Sequence, residues 1–170
     1  SNRSHSRSNG HDLNVGFNYS DDTWMFNASL GVTPQKRTID RKVGKLYADT
    51  TMRTIDYQPM IWLSWRKKKM RVSLNYNGRT RQPSLSDLMP LTDNSDPLYI
   101  TRGNPDLKQM FMHTMHVSFQ HPSKGISANL GWQMEKNSVT QVVLYDVQTG
   151  GREIYPININ GNWNTYGSAD

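Results

Sequence analysis

Few residues in this chain have both the type and the spacing to do chemistry. His113 and His116 are candidate metal ligands. Three apart on an extended chain, they point to opposite faces and cannot close on one ion. Both therefore read as ordinary polar or interface residues. Asp93-Asn94-Ser95-Asp96 opens like a calcium loop, but Leu98 stands where the sixth position of an EF-hand requires glycine, so the tetrad reads as surface loop. No Gly-x-Ser-x-Gly, P-loop or His-Glu-x-x-His pattern occurs, and no carboxylate pair stands out for acid–base work. With no cysteine there is neither disulfide nor thiolate chemistry. The expectation from these residues is no cofactor and no metal, with acid–base catalysis left open at this point.

The elements that would carry any site are strands. Leu13, Val15, Phe17 and Tyr19 alternate with Asn14, Gly16, Asn18 and Ser20, and Trp24, Phe26, Ala28, Leu30 and Val32 with Met25, Asn27, Ser29 and Gly31. Tyr57, Pro59, Ile61, Leu63 and Trp65 share one parity, as do Met70, Val72, Leu74 and Tyr76. Phe111, Met115, Val117 and Phe119 follow, then Ile126, Ala128, Leu130, Trp132 and Met134, and last Tyr155, Ile157, Ile159 and Trp163. Period two puts one apolar and one polar face on each run. The fold class is all-β, an antiparallel up-and-down meander of seven strands.

Composition says which face meets water. Hydrophobic residues make up 35% of the 170, and no run approaches a membrane-spanning helix. That leaves open a membrane strand, which needs only about 9–11 residues with alternate ones apolar. The polar face carries Asn, Ser, Gly and Gln, short groups suited to a crowded hydrated interior. The apolar face carries Tyr19, Trp24, Trp65, Tyr76 and Trp163 near strand ends, as an aromatic girdle would. An inside-out wall is expected, with Leu74, Leu130 and Ile159 toward lipid and Asn75, Asn129 and Asn160 toward a lumen. The net charge of +6 includes one dense run, Arg66-Lys67-Lys68-Lys69, placed like a turn; nucleic acid would need a basic stripe with stacking aromatics and is not an expected partner.

Connections alternate in length. Those over 20–23, 66–69 and 121–125 are tight, those over 34–52 and 82–110 are long, and that over 147–151 is intermediate. Short periplasmic turns and long outer loops would give this pattern. The sixth strand, from Ile126 to about Asp146, is the longest, and its apolar parity breaks after Lys136 as at a bulge. Bacterial single-chain barrels close with an even number, so seven strands read as part of a larger barrel domain spanning 1–170, with free edges. Ser1–Gly10 reads as polar and flexible, with no signal peptide, as in a piece taken from downstream of one.

The long excursion between the fourth and fifth strands has its own grammar. Pro83-Ser84-Leu85-Ser86-Asp87-Leu88 predicts a short helical turn with Ser84 capping and Asp87 completing a capping box. Gly103-Asn104-Pro105-Asp106 is strong turn chemistry. Together, Arg81-Gln82-Pro83-Ser84-x-x-x-Leu88 and Gly103-Asn104-Pro105-x-Leu107-Lys108 resemble a signature of TonB-dependent outer-membrane receptors, in the outer-membrane β-barrel group abundant in Bacteroidetes. Gln109-Met110 stands where that group usually has Pro-Glu, and the likeness is best over 59–167.

The resemblance implies a large outer-membrane barrel, not an enzyme, occluded by a plug that this chain lacks, with import driven through TonB. Partners would be outer-membrane lipid, the rest of the barrel and plug, the TonB complex, and a small-molecule, glycan or peptide substrate. The motif-loop residues it marks, structural or substrate-side, are Arg79, Arg81, Pro83, Ser84, Leu88, Asp96, Pro97, Gly103, Asn104, Pro105 and Leu107. Two other readings compete with it: a soluble or surface β-sheet module binding glycan or peptide, and a small structural or adhesive outer-membrane barrel.

Overall fold

The computed structural model describes residues 3–43, 46–89, 92–96, 98–148 and 150–170. The strands are β1 (Arg3–Gly10), β2 (Leu13–Ser20), β3 (Trp24–Val43), β4 (Leu46–Lys67), β5 (Met70–Arg81), β6 (Thr92–Asp96), β7 (Tyr99–Arg102), β8 (Met110–His121), β9 (Ile126–Lys136), β10 (Ser138–Tyr145), β11 (Arg152–Ile159) and β12 (Asn162–Ala169). One helical turn, α1 (Leu85–Leu88), lies between β5 and β6, and a 3-10 turn, Pro122–Lys124, between β8 and β9. The main sheet runs β1-β3-β4-β5-β8-β9-β12, with β2 also on β3, and a four-stranded sheet runs β10-β11-β7-β6.

Register joins these pieces into longer strands. Arg3↔Lys42 through Gly10↔Gln35 and Leu13↔Val32 through Ser20↔Met25 keep one register along β3, so β1 and β2 form a single edge strand. The interruption falls opposite Pro34, which has no N–H to give; its carbonyl still accepts from the His11 N–H at 3.2 Å. The β9–β12 ladder likewise continues in register into β10–β11, from Ala128↔Ala169 through Glu135↔Asn162 to Ser138↔Ile159 and Tyr145↔Arg152. Asn137 (φ 55) and Gly161 (φ 96) mark the break on its two sides. The wall is therefore a seven-strand antiparallel meander whose last hairpin runs on into a second, smaller sheet.

The two faces segregate as the alternation predicts. Across the strands, one row reads Tyr19, Phe26, Leu63, Leu74, Val117, Leu130, and the next Phe17, Ala28, Ile61, Tyr76, Met115, Trp132. Rows of the opposite face read Ser20, Met25, Ser64, Ser73, Ser118, Asn129, and Gly16, Ser29, Met60, Asn77, Thr114, Gln133. Ser73 and Ser118 join their hydroxyls across the ladder at 2.6 Å. The wall is one layer thick, and its apolar side is uncovered, with Val15 76% and Leu130 49% exposed. Among the described residues the buried large hydrophobics are Leu88, Met89 and Leu107, all from the segment between β5 and β8.

Four expectations are corrected. The connection expected over 34–52 is mostly strand, since β3 and β4 stay paired to Val43↔Leu46. Beyond the apolar band the alternation fades from the sequence, with Lys36-Arg37-Thr38 and Arg53-Thr54 in succession, while β-branched residues persist, as in the facing pair Thr38 and Thr51. Arg3–Gly10 is paired strand, its backbone bonds supplied by the far half of β3. Asp93 and Asp96 lie on β6, paired with Thr101 and Tyr99, where surface loop was expected. The last strand is divided at Asn160-Gly161, which puts Ile159 on β11, in the small sheet.

Candidate functional site

The two halves of the motif meet in space. The Ser84 hydroxyl accepts the Asp87 N–H at 3.2 Å and donates to the Asp87 carboxylate at 2.5 Å. This is the predicted cap with one change: the acid reaches the cap hydroxyl instead of its backbone N–H. Asn104 then locks the second half onto the first. Its N–H donates to the Asp87 carbonyl at 2.5 Å, its Nδ2 donates to the Pro156 carbonyl at 2.9 Å, and its Oδ1 accepts the Asp106 N–H at 3.0 Å. Gly103 must be glycine, because a Cβ there would lie 1.9 Å from the Met89 carbonyl oxygen. Leu88, Met89 and Leu107 are buried with Pro83 and Pro156.

Side-chain amides anchor this clamp to the polar face of the wall. Asn158 Oδ1 accepts the Lys108 N–H at 2.8 Å, and its Nδ2 donates to the Lys108 carbonyl at 3.0 Å and to the Asn137 carbonyl at 2.8 Å. The Asp56 carboxylate accepts from Gln35 at 2.6 Å and from Gln82, and Gln82 also reaches Gln109 at 3.0 Å. Gln82 thus ties the start of the long segment to β3 and β4. Thr80 supports the same corner: its hydroxyl accepts the Tyr57 N–H at 2.8 Å, taking the place of a ladder bond.

Two clefts open on the polar face, which marks it as the inside of the wall's curve. One, of about 430 Å³, is bordered by Arg81, Gln82, Ser84, Glu135, Ser138 and Gln141. The other, of about 440 Å³, is bordered by Asn14, Gly31, Gln58, Asn77, Arg79 and Met112. Arg79 and Arg81 are exposed and share this face. Glu135 accepts from Ser138 and Asn162, both at 2.9 Å. The surface offers hydrogen bonds and both charges, which suits recognition of a polar solute.

The motif residues therefore sort by position. Pro83, Ser84, Leu88, Gly103, Asn104 and Leu107 come together in the clamp, and Pro105 stands exposed beside them. Arg79 and Arg81 line the clefts. Asp96 lies apart, on β6, and Pro97 falls outside the described residues. Sequence reasoning passed over Asp56, Asn137 and Asn158 and took Gln109 only as a departure from the motif; these are polar residues on the wall or at its joints whose partners are 21 to 50 residues away. Parity alone could have placed Asp56 on the inner face. It also passed over Arg102, which meets Glu153 at 2.9 Å and lies over the Tyr155 ring at 5.8 Å within the small sheet.

The histidines separate as expected. His113 is on the apolar face, its Nδ1 2.9 Å from the Tyr76 hydroxyl and its ring edge-on to Phe111 at 4.7 Å; His116 faces the other way, opposite Asn75 and Gly131.

A one-layer antiparallel wall, apolar outside and amide-rich inside, with tight turns at one end and, at the other, strands that run on past the apolar band and one long folded connection, defines an outer-membrane β-barrel. The chain belongs to the outer membrane protein beta-barrel family, which matches residues 17–170, and its place is the outer membrane. Its fold is similar to that of the siderophore receptor PirA from Pseudomonas aeruginosa, with a TM-score of 0.53, 14% identity, and coverage of 96% of this chain and 40% of that one. The chain thus spans less than half the length of that receptor. No curated protein matches it. The apolar face is accordingly the lipid face. It spans the nine residues from Tyr57 to Trp65 on β4, a run of about 30 Å, or roughly 23 Å of height at a usual strand tilt.

Proposed function

We propose that this chain is the lumen wall and part of the outer loops of a TonB-dependent receptor that imports a nutrient. It acts by binding and passage, not by catalysis. Plug and TonB contacts belong to other parts of the protein. The observation that carries the reading is the clamp: the motif loop is pinned to the polar face by Asn104, Asn158 and Gln82. A long connection held over the inner wall can shape a mouth through which a polar small molecule, glycan or peptide is admitted. Arg79, Arg81 and Glu135 then meet the substrate as it passes.

Topology and energy coupling test it. In the full-length receptor, single cysteines at Asp93 and Asp146 should react with an impermeant maleimide on intact cells, and those at Lys68 and Lys124 should not. Labelling at Lys68 alone reverses the orientation. Uptake that persists without TonB would leave a barrel but remove the receptor.

A further inference from the structure

The short-turn end carries a cationic cluster that the lumen reading does not use. Arg66, Lys67, Lys68, Lys69 and Arg71 surround the β4–β5 turn, and Lys124 lies at the β8–β9 turn. All six are exposed. None of their side chains has an ion pair or hydrogen-bond partner among the described residues. The acids nearby are elsewhere engaged or distant. Asp21 is occupied by the N–H groups of Thr23 and Trp24 and by the Tyr19 hydroxyl. Asp22 makes no ion pair with the cluster. Asp170 shares the row of Arg71 and Gln120 but stands beyond Ser127, about 14 Å from Arg71 at usual strand spacing.

Two local choices here oppose folding. Arg66 and Arg71 are direct cross-strand partners, and like charges facing each other on a ladder repel. Lys68 holds φ 53, in the left-handed region where glycine or asparagine is the ordinary turn residue. Features that break local rules without internal compensation concentrate where function requires them. Between them lies a cleft of about 180 Å³ bordered by Arg66, Lys68, Lys69, Arg71, Gln120 and Pro122. It sits just past the Trp24–Trp65 pair, whose rings are 6.3 Å apart at the end of the apolar band. Arg66, Arg71 and Gln120 share the parity of Ser64, Ser73 and Ser118, so the cleft opens on the polar face, at the lumen mouth of the short-turn end.

We infer that this cleft binds a phosphate group. Paired guanidinium forks suit phosphate oxygens, and ammonium groups add point charge. Bound between Arg66 and Arg71, the dianion or phosphodiester turns their repulsion into attraction. Because the cleft opens toward the lumen mouth, the group comes from free phosphate or a phosphate-bearing solute there; a phospholipid headgroup of the facing leaflet would have to reach in around the β4–β5 turn, and the two arms of the test separate these sources.

The full-length receptor is purified in neutral detergent and delipidated. Phosphatidylglycerol is added in one arm and inorganic phosphate in the other; binding is read by native mass spectrometry and by phosphorus NMR. Wild type should retain phosphatidylglycerol or broaden the phosphate line. R66Q/R71Q, checked as folded by its heat-modifiable gel mobility, should bind about tenfold more weakly or worse, having lost two charge-assisted contacts. R66K/R71K should fall between them. Retention of lipid only assigns a headgroup, and binding of phosphate only assigns the free ion. Thermal unfolding without either anion gives a second readout: R71Q should match or exceed wild type, and only wild type should gain on adding the anion. Neither anion bound by wild type, or equal binding by R66Q/R71Q, overturns the inference.

Discussion

Gly131 and Gly103 both lack a side chain because something else occupies its place, and the difference between the occupants sets the cost of substitution. A Cβ on Gly131 would lie 2.1 Å from Cζ of Tyr166, whose ring lies across the glycine from the next strand. That ring is the far end of a mobile side chain, 56% exposed, and can swing away. Gly131→Ala should therefore cost about 1 kcal/mol, the low end of overpacking. A Cβ on Gly103 would meet the Met89 backbone, which cannot swing. Gly103→Ala should cost about 3 kcal/mol and loosen the clamp. Urea unfolding of the full-length barrel protein in bilayers, with proteolysis of the 82–109 loop, checks the order. A greater loss at Gly131 would mean the clamp is soft. Asp21 is the residue whose titration matters. Hydrogen bonds from Trp24 and Thr23 N–H, then from the Tyr19 hydroxyl, hold its carboxyl below the ordinary 3.8. A depressed folded value means the tight turn is fully supported above that ordinary value and loses support as pH falls through the lowered one. Carbon NMR of Asp21 should show this, and the acid step should vanish in Asp21→Asn.

At the scale of elements, what could be read in advance follows from where apolar contrast exists. The membrane-crossing parts of β2 to β5, β8 and β9 show period two because one side meets lipid. The cap at Ser84 and the turn at Asn104 were legible because their partners are within three residues in sequence, through Asp87 and Asp106. β1, the outer halves of β3 and β4, and β6 were not, because beyond the bilayer both faces are wet and pairing with distant strands decides the conformation. Asn137 gave a partial signal through the parity break after Lys136. The faces themselves are testable. Leu74 lies between Leu63 and Val117, well inside the apolar band, and Leu130 beside Val117. Leu74→Lys and Leu130→Lys should each cost about 2–4 kcal/mol, and Asn75→Lys or Asn129→Lys much less. Ile159 shares their parity but sits past the Asn160-Gly161 break, so Ile159→Lys should cost about 0–1 kcal/mol. Equal assembly defects at Leu74 and Asn75 would remove the inside-out assignment.

For the whole molecule, the consequence of a one-layer wall is that neither side can serve as a core. Lipid would cover Val15, Phe17, Leu130 and Trp163, which are 49 to 76% exposed. The edge strand formed by β1 and β2 pairs only with β3, and β12 only with β9, among the described residues. Expressed alone in water, the 170-residue chain thus presents an apolar surface beyond the few hundred Å² usual on soluble monomers, together with two open ladders. It cannot close on itself with the curvature of a much larger barrel, because strand number, tilt and diameter are linked. The expected outcome is mainly β circular dichroism, binding of a hydrophobic dye, and association through face or edges in detergent-free buffer. Detergent micelles should disperse it by covering the lipid face while leaving the edges open. Sedimentation in both buffers separates the two routes: association that detergent abolishes runs through the face, and association that persists runs through the edges. A dye-negative, well-dispersed monomer in water would require a closed hydrophobic core, and the wall would then have to be a soluble module instead.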